Sequence, residues 1–493
     1  MQRASKWLWL HFKQHRLGNL ELIAFCIGYA LMAFELVASR ILAPAIGSST
    51  YVWTSVIGVI IGALALGYAF GGFIADKRVK HTDIALLLLS GSMAMALCLV
   101  SAPGFLSILT EISQDARLRG LLASLGLFAP ASFILGAVSP YLVRLHTQGI
   151  TQTGRSVASL SALNALGGIA GTFSVGFFFF GYIGSQQTLA FICLLVLLAS
   201  WAVVPKMQTR MRLAVSAATV LLIATVFLPI GTSQAVSIDS ATSHYEVITT
   251  TDRQGHPVRY LVIGNQGVQS GVRLDAPRDL ALPYAQQMAS FVRAAPQKQR
   301  ILVLGGGAFS LPGYLAQTYP SSSVDVVEID PTLVDIAHKY FFLQDRPNLH
   351  IHREDARTFL NSNQQRYDII IVDVFSELSV PFTLTTTEYA HALASKLQPN
   401  GTVLVNAIIS PSDSCREFTG RILASYQSAL PWQRVFAEHW GTPIKQNTVL
   451  VYGRQPLSWK MPALTEITDR VPSGAAPFSD NHAPVERLQF NCR

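Results

Sequence analysis

The feature that most constrains this 493-residue chain is the spacing of its apolar runs. The first half contains about seven runs of roughly 20 residues with few charged side chains, while the second half has the mixed composition of a water-soluble domain. A helix needs a run of that length to cross the core of a bilayer. The pattern predicts a multi-pass α-helical membrane bundle over residues 20–231, after a basic N-terminal segment, residues 1–19. The runs are 20–42, 52–75, 83–105, 120–143, 158–182, 185–204 and 213–231.

Lysine and arginine residues indicate how such a bundle is oriented. They cluster in the N-terminal segment and after the second, fourth and sixth runs, and they are sparse in the other loops. The pattern predicts an inner-membrane protein with a cytoplasmic N-terminus. Seven spans would place the second half on the opposite side of the membrane. If the last run, 213–231 with its Pro229, does not cross, the second half returns to the cytoplasm, so its side stays open.

Charge and cysteine content limit the partners. The formal net charge is +8, but much of the excess lies in the short loops between apolar runs, so the lipid bilayer is the expected partner and nucleic acid is not. Three of the five cysteines fall inside apolar runs. Cys415 and Cys492 are the pair in the second half that a single disulfide could join. No C-x-x-C and no metal-ligand spacing occurs, so no bound metal is expected.

Small and ionisable residues stand out within the apolar half. Glu35 is a candidate functional group because ionisable side chains are costly inside a membrane, and the alternative is that Glu35 and Arg40 lie near the interface and pair or snorkel. Several glycines are expected to let helices approach closely. They are Gly58, Gly62 and Gly67 in the second run, and Gly167, Gly168 and Gly171 in the fifth.

The second half shows two successive patterns. Residues 237–279 alternate as short strands with a hairpin signal at 253–257, which predicts a small β subdomain. Over residues 280–455, apolar strands alternate with helical segments, which predicts a Rossmann-like α/β domain with a parallel sheet covered on both faces. Residues 456–493 form a C-terminal extension.

Four successive strands of this domain end in glycines or an acid, at the edge where such sheets bind ligands. Glycines at 305–307 follow the first strand, and Glu328 ends the second, about 20 residues later, a spacing at which an acid can bind ribose hydroxyls. Asp355 and Asp373 end the third and fourth strands. Each acid could instead be a helix cap. Four such strand ends in a row favour a nucleoside site, which fits S-adenosyl cofactors at least as well as dinucleotides.

With these motifs in order, the second half resembles the spermidine synthase family, and the whole chain resembles bacterial membrane-fused spermidine synthase-like proteins. The motifs are GNQGVQS, LVLGGG, VVEID, REDA and YDIIIVD, followed by the tail FSDNHAPVERL. The resemblance implies a class I methyltransferase or spermidine synthase fold, a possible homodimer, and decarboxylated S-adenosylmethionine or S-adenosylmethionine as co-substrate. It implies Asp373 as the base on the attacking amine and Tyr284 as a second catalytic residue, which with Gln269 would close the tail end of the site. The implied nucleoside-binding residues are Gln269, Gly305, Gly306, Gly307, Glu328, Asp330, Asp355 and Ala356.

Several positions depart from the family pattern at the end of the site that would bind the polyamine. Ala308 replaces an acid after the glycines, Ser376 replaces a second acid after Asp373, and Glu377 is displaced by one position. The resemblance therefore favours a membrane-bound aminopropyltransferase acting on a small amine that need not be putrescine. One alternative is a methyltransferase that uses the same pocket. The other is a non-catalytic nucleoside-binding domain on a transporter-like bundle, since GGFIADKRVK, residues 71–80, faintly resembles a loop of major facilitator transporters.

Overall fold

The computed structural model divides the chain into two compact units. One comprises Met1–Thr232 and Asp239–Ser243, and the other comprises Ser233–Ile238 and His244–Arg493. The predicted basic N-terminal segment lies almost wholly outside the described residues. The structure describes residues 18–492 except 48, 79, 114, 148–152, 204–208, 226–234, 241, 265–266, 375–379, 438–444, 458 and 460–463.

Six helices in the described part of the first unit are long and apolar enough to cross a membrane. In a bilayer no water is present to bond backbone N–H and C=O groups, so each crossing segment must satisfy them within its own helix. The six helices are α1, Asn19–Ile46; α2, Thr50–Lys77; α3, His81–Ile112; α4, Arg117–His146; α5, Gly154–Phe179; and α6, Ser185–Val203.

The predicted run at 213–231 is not among these six helices, but residues 226–231 lie outside the described part of the chain, so the predicted number of about seven spans stays a prediction. It falls in α7, Thr209–Thr225, which has 17 residues and carries Arg210 and Arg212 at its start. The apolar part of the described helix is therefore shorter than the roughly 20 residues that a span needs. Pro229 lies outside the described residues.

Glycines bring the helices of the bundle into backbone contact. A Cβ built on Gly167 of α5 would lie 2.0 Å from a carbonyl oxygen of α1, and one built on Gly67 of α2 would lie 2.2 Å from a carbonyl oxygen of α4. Any side chain at these positions would force the helices apart. Gly58 and Gly62, in contrast, have nothing within 4 Å of an added Cβ. Close approach thus involves only some of the glycines for which it was predicted.

The second unit begins with a four-stranded sheet in the order β1-β2-β3-β4. Residues 244–247 alternate half-exposed and buried positions, as expected where one face of an antiparallel sheet packs on a core. The strands are β1, Ala235–Asp239; β2, His244–Thr251; β3, Pro257–Ile263; and β4, Val268–Arg273.

An eight-stranded sheet follows in the order β12-β10-β11-β9-β8-β5-β6-β7. The neighbours from β9 to β7 pair in parallel, and the three strands at the other edge pair antiparallel. The strands are β5, Arg300–Leu304; β6, Ser323–Val327; β7, Leu349–His352; β8, Tyr367–Val372; β9, Leu397–Ile409; β10, Trp432–Ala437; β11, Gln446–Gly453; and β12, Thr465–Glu466.

Helices cover both faces of this sheet, which confirms the predicted Rossmann-like α/β fold. Consecutive residues of β5 point to opposite faces, since Ile301 and Val303 belong to one buried core and Leu302 and Leu304 to the other. The helices are α8, Pro283–Ala294; α9, Ser310–Thr318; α10, Pro331–Tyr340; α11, Ala356–Ser362; α12, Thr387–Ser395; α13, Arg416–Gln427; and α14, Val485–Asn491.

Candidate active site

The parallel strands bring their carboxyl ends to one edge of the sheet. Leu304, the last residue of β5, pairs with Val327 at the end of β6 and with Val372 at the end of β8. The residues that follow these three positions therefore meet at the same edge. They are the predicted glycines, Glu328 and Asp373.

The glycine turn after β5 packs directly against the end of β8. Gly305 has φ +96°, and a Cβ there would lie 2.2 Å from the backbone oxygen of Asp373. Gly307 has φ +52°. Only glycine adopts these conformations without strain and leaves room for the neighbouring backbone. Because glycine has no side chain, the turn can lie close to the backbone of Asp373.

Glu328 braces this turn from the adjacent strand. Its Oε2 accepts hydrogen bonds from the backbone N–H groups of Gly306, at 2.8 Å, and Gly307, at 3.4 Å, and its Oε1 accepts from that of Asp330, at 2.9 Å. Burial raises the pKa of Glu328, while these backbone hydrogen bonds lower it. A carboxylate has about four lone-pair positions, so three bonds leave one for a ribose hydroxyl. The predicted role in ribose binding stays a prediction.

Asp330 and Asp355 both cap helices, as the alternative interpretation of the strand-end acids required. Asp330 is buried and accepts from the backbone N–H of Thr332, at 2.9 Å, and from the hydroxyl of Tyr245, at 2.6 Å. Asp355 accepts from the N–H of Thr358, at 2.9 Å, and from its hydroxyl, at 3.2 Å. Both Asp355 bonds use Oδ1, so capping does not engage Oδ2 in this geometry. Both carboxylate oxygens of Asp330, in contrast, accept hydrogen bonds within the domain.

Asp373 is half-buried at this edge. Its Oδ1 accepts a hydrogen bond from the side-chain amide of Asn406 at 2.9 Å. Burial raises the pKa of the Asp373 carboxyl, and hydrogen bonds from Asn406 and Tyr284 oppose the rise. Buried carboxylates with raised pKa values are suited to proton transfer near neutral pH.

Tyr284, in the first turn of α8, connects Asp373 to the β subdomain. Its hydroxyl donates to the backbone oxygen of Gln269 at 3.0 Å and also lies within hydrogen-bonding reach of Asp373. A phenol has one proton, so it serves one of these acceptors at a time. Burial, followed by the charge of Asp373, raises the pKa of Tyr284 and keeps it protonated. The structure thus brings Gln269, Tyr284 and Asp373 together, and their roles in the reaction stay predictions.

Two residues of the site were not predicted. Ser270 accepts a hydrogen bond from the backbone N–H of Ala308 at 3.1 Å and thereby ties the β subdomain to the glycine turn. Asn406 lies on β9 and is almost fully buried. Its signal in the sequence is a lone polar residue inside the apolar strand TVLVNAII. Ser270 carried no such signal, because serine is common in hairpin strands.

One predicted departure from the family pattern, Ala308, lies at this site. Ala308 is buried and places a methyl group where an acid would follow the glycines. Ser376 and Glu377 lie outside the described residues. Ala356, the first residue of α11, is buried beside the Asp355 cap. Among the described residues, no group of three or more His, Cys, Asp or Glu side chains could hold a metal ion.

The fold and the strand-edge acids define a class: a Rossmann-like α/β domain whose ligand site is built from a glycine turn and carboxylates. Comparison with known proteins shows which family within this class the chain is similar to. Residues 282–413 match the family described as spermine/spermidine synthase domain. In this segment the chain is similar to spermidine synthases, which confirms the resemblance seen in its motifs.

Individual relatives agree with the family match. The chain is 29% identical over 233 residues to a polyamine aminopropyltransferase of Vibrio vulnificus, covering 46% of this chain and 74% of the relative. It is 30% identical over 141 residues to a probable polyamine aminopropyl transferase of Bifidobacterium longum, covering 28% of this chain and only 30% of that relative. A probable spermidine synthase from Corynebacterium glutamicum is similar in structure, with a TM-score of 0.40 and 26% identity over 46% of this chain and 82% of that one.

Proposed function

We propose that this protein is a membrane-bound aminopropyltransferase of polyamine biosynthesis, which moves the aminopropyl group of decarboxylated S-adenosylmethionine onto an amine. The observation that carries the proposal is the half-buried Asp373 carboxylate at the strand edge, beside the glycine turn and Glu328. The match of residues 282–413 to the spermine/spermidine synthase domain supports it, because that segment contains all three features.

The chemistry needs a base and good alignment. The amine nitrogen attacks the carbon next to the sulfonium, forming a C–N bond. The C–S bond breaks, its electron pair goes to sulfur, and methylthioadenosine leaves. The attacking nitrogen must also lose a proton, which Asp373 would accept. Tyr284 and Asn406 would hold the carboxylate in place. Most of the remaining acceleration would come from holding nitrogen, carbon and sulfur in line.

The nucleoside end would be bound by groups that the fold already orients. Glu328 has one lone-pair position left for a ribose hydroxyl after bracing the glycine turn. Asp355 has its Oδ2 for an adenine amino group, because its capping bonds use Oδ1. The backbone of Ala356 lies next to this acid. The acceptor end is less well equipped, because Ala308 offers a methyl group rather than a carboxylate, so the acceptor is for assay to identify.

The first half would anchor the enzyme in the bilayer. Six helices in the described residues are long and apolar enough to cross a membrane. With the distribution of lysine and arginine, they support an inner-membrane protein with a cytoplasmic N-terminus. Assembly as a homodimer, which the resemblance implies, stays a prediction.

Product analysis tests the proposal. The full-length protein in detergent is incubated with decarboxylated S-adenosylmethionine or S-adenosylmethionine and a panel of amines, and the products are identified by mass spectrometry. Methylthioadenosine with an aminopropylated amine is the expected result. S-adenosylhomocysteine would show methyl transfer instead. Binding of methylthioadenosine without any turnover would show a nucleoside-binding domain that is not an enzyme.

Two matched variants locate the base on β8. Asp373→Asn should abolish turnover while nucleoside binding survives, because the amide cannot accept the proton. Asp368→Asn is the control. Asp368 lies near the other end of the same strand, where its carboxylate accepts from the backbone N–H of Arg300 at 3.0 Å. Equal activity of wild type and Asp373→Asn would remove Asp373 from the mechanism.

A further inference from the structure

The C-terminal extension ends in a segment that is tied to the α/β domain at several points. We call residues 478–492 the C-terminal clasp. Asp480 of the clasp forms an ion pair with Arg357 through two nitrogen–oxygen contacts, one of them Nη1 to Oδ1 at 2.7 Å. The hydroxyl of Thr386 donates to Asp480 Oδ1 at 2.7 Å, and the Asp480 backbone N–H donates to Glu388 at 3.1 Å. Asp480 thus has partners on two helices.

Further contacts fix the two ends of the clasp. At its start, the backbone N–H of Phe478 donates to the hydroxyl of Ser425 at 2.8 Å, and its carbonyl oxygen accepts from Thr387 at 2.9 Å. At its end, Cys492 forms a disulfide with Cys415, 77 residues earlier in the chain. The clasp is therefore anchored on both sides of Asp480.

Arg357 connects the clasp to the nucleoside end of the site. It is the second residue of α11, directly after Ala356 and two residues after the Asp355 cap. Its guanidinium also donates to the carbonyl oxygen of Thr383 at 2.8 Å, in the segment that leads from Asp373 to α12. One side chain thus joins the start of α11, the segment after the candidate base and the clasp.

The ion pair is poorly placed to serve stability alone. The Arg357 side chain is 20% exposed and that of Asp480 is 38% exposed. Pairs at such positions contribute little to folding, because water competes for both charges. The geometry is nevertheless that of a planar fork on a carboxylate, which fixes orientation well. Its hydrogen bonds to Arg357 lower the pKa of Asp480, so the pair stays charged at neutral pH. Orientation of α11 is the property that this pair controls best.

We propose that Asp480 is a positioning residue for nucleoside binding, which acts through Arg357 to hold Asp355 and Ala356 in place for the adenine. This inference rests on the proposed function, because it assumes that a nucleoside binds beside α11. It gives a role in ligand binding to Asp480 of the tail motif FSDNHAPVERL, whose apolar residues Phe478, Val485 and Leu488 belong to the core. It also predicts that donor affinity depends on a residue 123 positions away in sequence from the helix that it steadies.

Asp480→Asn tests this directly, with Asp480→Glu as the conservative variant. Asp480→Asn should raise both the KM for the nucleoside donor and the Kd of methylthioadenosine about tenfold, the factor equivalent to 1.4 kcal/mol. The kcat should change little, because Asp373 is untouched. Asp480→Glu should restore most of the affinity. Titration calorimetry gives the Kd without any need for turnover.

Arg434→Gln is the matched control. Arg434 and Glu466 form a similar fork-to-carboxylate pair in the same domain, with Nε to Oε1 at 2.8 Å, but they lie at the antiparallel edge of the sheet. Loss of that pair should leave the Kd unchanged. An equal rise in both variants, or no rise in Asp480→Asn, would overturn the role of Asp480. If Asp480→Asn does not fold, Arg357→Lys keeps the charge and loses the fork, and an unchanged Kd there would overturn it equally.

The outcomes separate this inference from the proposed function. If wild-type protein does not bind methylthioadenosine, the nucleoside site itself is wrong. If the wild type binds methylthioadenosine but gives no aminopropylated product, the proposed reaction is wrong. The effect of Asp480 on binding is then still tested by the Kd of its variants.

Discussion

Replacing Asn406 by leucine tests how the site controls the charge of its candidate base. The Asn406 amide donates to Asp373 Oδ1 at 2.9 Å, and its own Oδ1 has no hydrogen-bond partner among the described residues. An ionised carboxylate only accepts hydrogen bonds, so the amide nitrogen must face Asp373. Leucine has a similar size and removes this donor from β9 without opening a large cavity.

The magnitude follows from the lost bond. A hydrogen bond to a charged group contributes about 1.5–3 kcal/mol, and one pKa unit corresponds to about 1.4 kcal/mol, so the pKa of Asp373 should rise by about one to two units. Burial already raises this pKa, and the remaining counterweight is the hydrogen bond from Tyr284, the titratable group that faces the carboxylate from α8. A base works only when ionised, so activity disappears as pH falls through its pKa. The acid limb of the profile should therefore move to higher pH.

The assay is the pH dependence of kcat/KM for the Asn406→Leu variant beside wild type. The acid limb should move up by about one to two pH units, so activity on that limb should fall about 10- to 100-fold and recover at higher pH, since the variant needs a higher pH to ionise Asp373. Thr402→Val is the control, because Thr402 is buried on the same strand but pairs beside Ile369, away from the ligand edge. A loss of equal size at every pH would refute the reasoning, because it would mean that Asn406 does not act through the pKa of Asp373.

Three further predictions concern other parts of the molecule. Gly167→Val should destabilise the bundle by about 3 kcal/mol or more, because the added Cβ would meet a backbone oxygen at 2.0 Å. Gly58→Ala is the control and should leave the melting temperature in detergent nearly unchanged. Equal melting temperatures of the two variants would contradict the packing. Glu328→Gln should lower the free energy of unfolding by about 1–3 kcal/mol and weaken methylthioadenosine binding, because one acceptor oxygen becomes a donor that faces a backbone N–H. Denaturant titration measures the stability, and calorimetry measures the binding. Unchanged values would show that Glu328 does not support the glycine turn. Cys415 and Cys492 should react with a maleimide in whole cells only after reduction, and labelling without reduction would show that the bridge does not form in vivo.

The sequence predicted the sheet because its strands have recognisable sequence patterns. Strands such as β8 are continuous apolar runs, which only a sheet covered on both faces can bury. Their ends are marked by glycines or acids, and this pattern predicted that Glu328 and Asp373 lie at one edge. The small β subdomain followed from alternation and from the turn residues between β2 and β3.

What the sequence did not predict depends on long-range pairing. Asn406 meets Asp373 across 33 residues, and Asp480 meets Arg357 across 123. Such contacts depend on strand order and on where a tail docks, and neither is encoded in local periodicity. Asp355 illustrates a different difficulty, because the same carboxylate at a strand–helix junction can cap a helix and bind a ligand. A single pattern then supports two interpretations, and only the geometry assigns one oxygen to each role.

The disulfide and the number of membrane-crossing helices predict opposite sides of the membrane for the second unit. Six crossing helices would return the chain to the side of its N-terminus, which the lysine and arginine pattern places in the cytoplasm. A bridge between Cys415 and Cys492 persists in an oxidising compartment and is rare in a reducing cytoplasm. The two observations agree only if α7 also crosses the membrane. Its contacts are those of an integral part of the bundle, since Arg212 is buried against Trp201 and Thr219 is fully buried. If the N-terminus is cytoplasmic, as predicted, a bridge formed in cells would require the seventh crossing. The donor and the acceptor amine would then have to reach the proposed enzyme outside the cytoplasm.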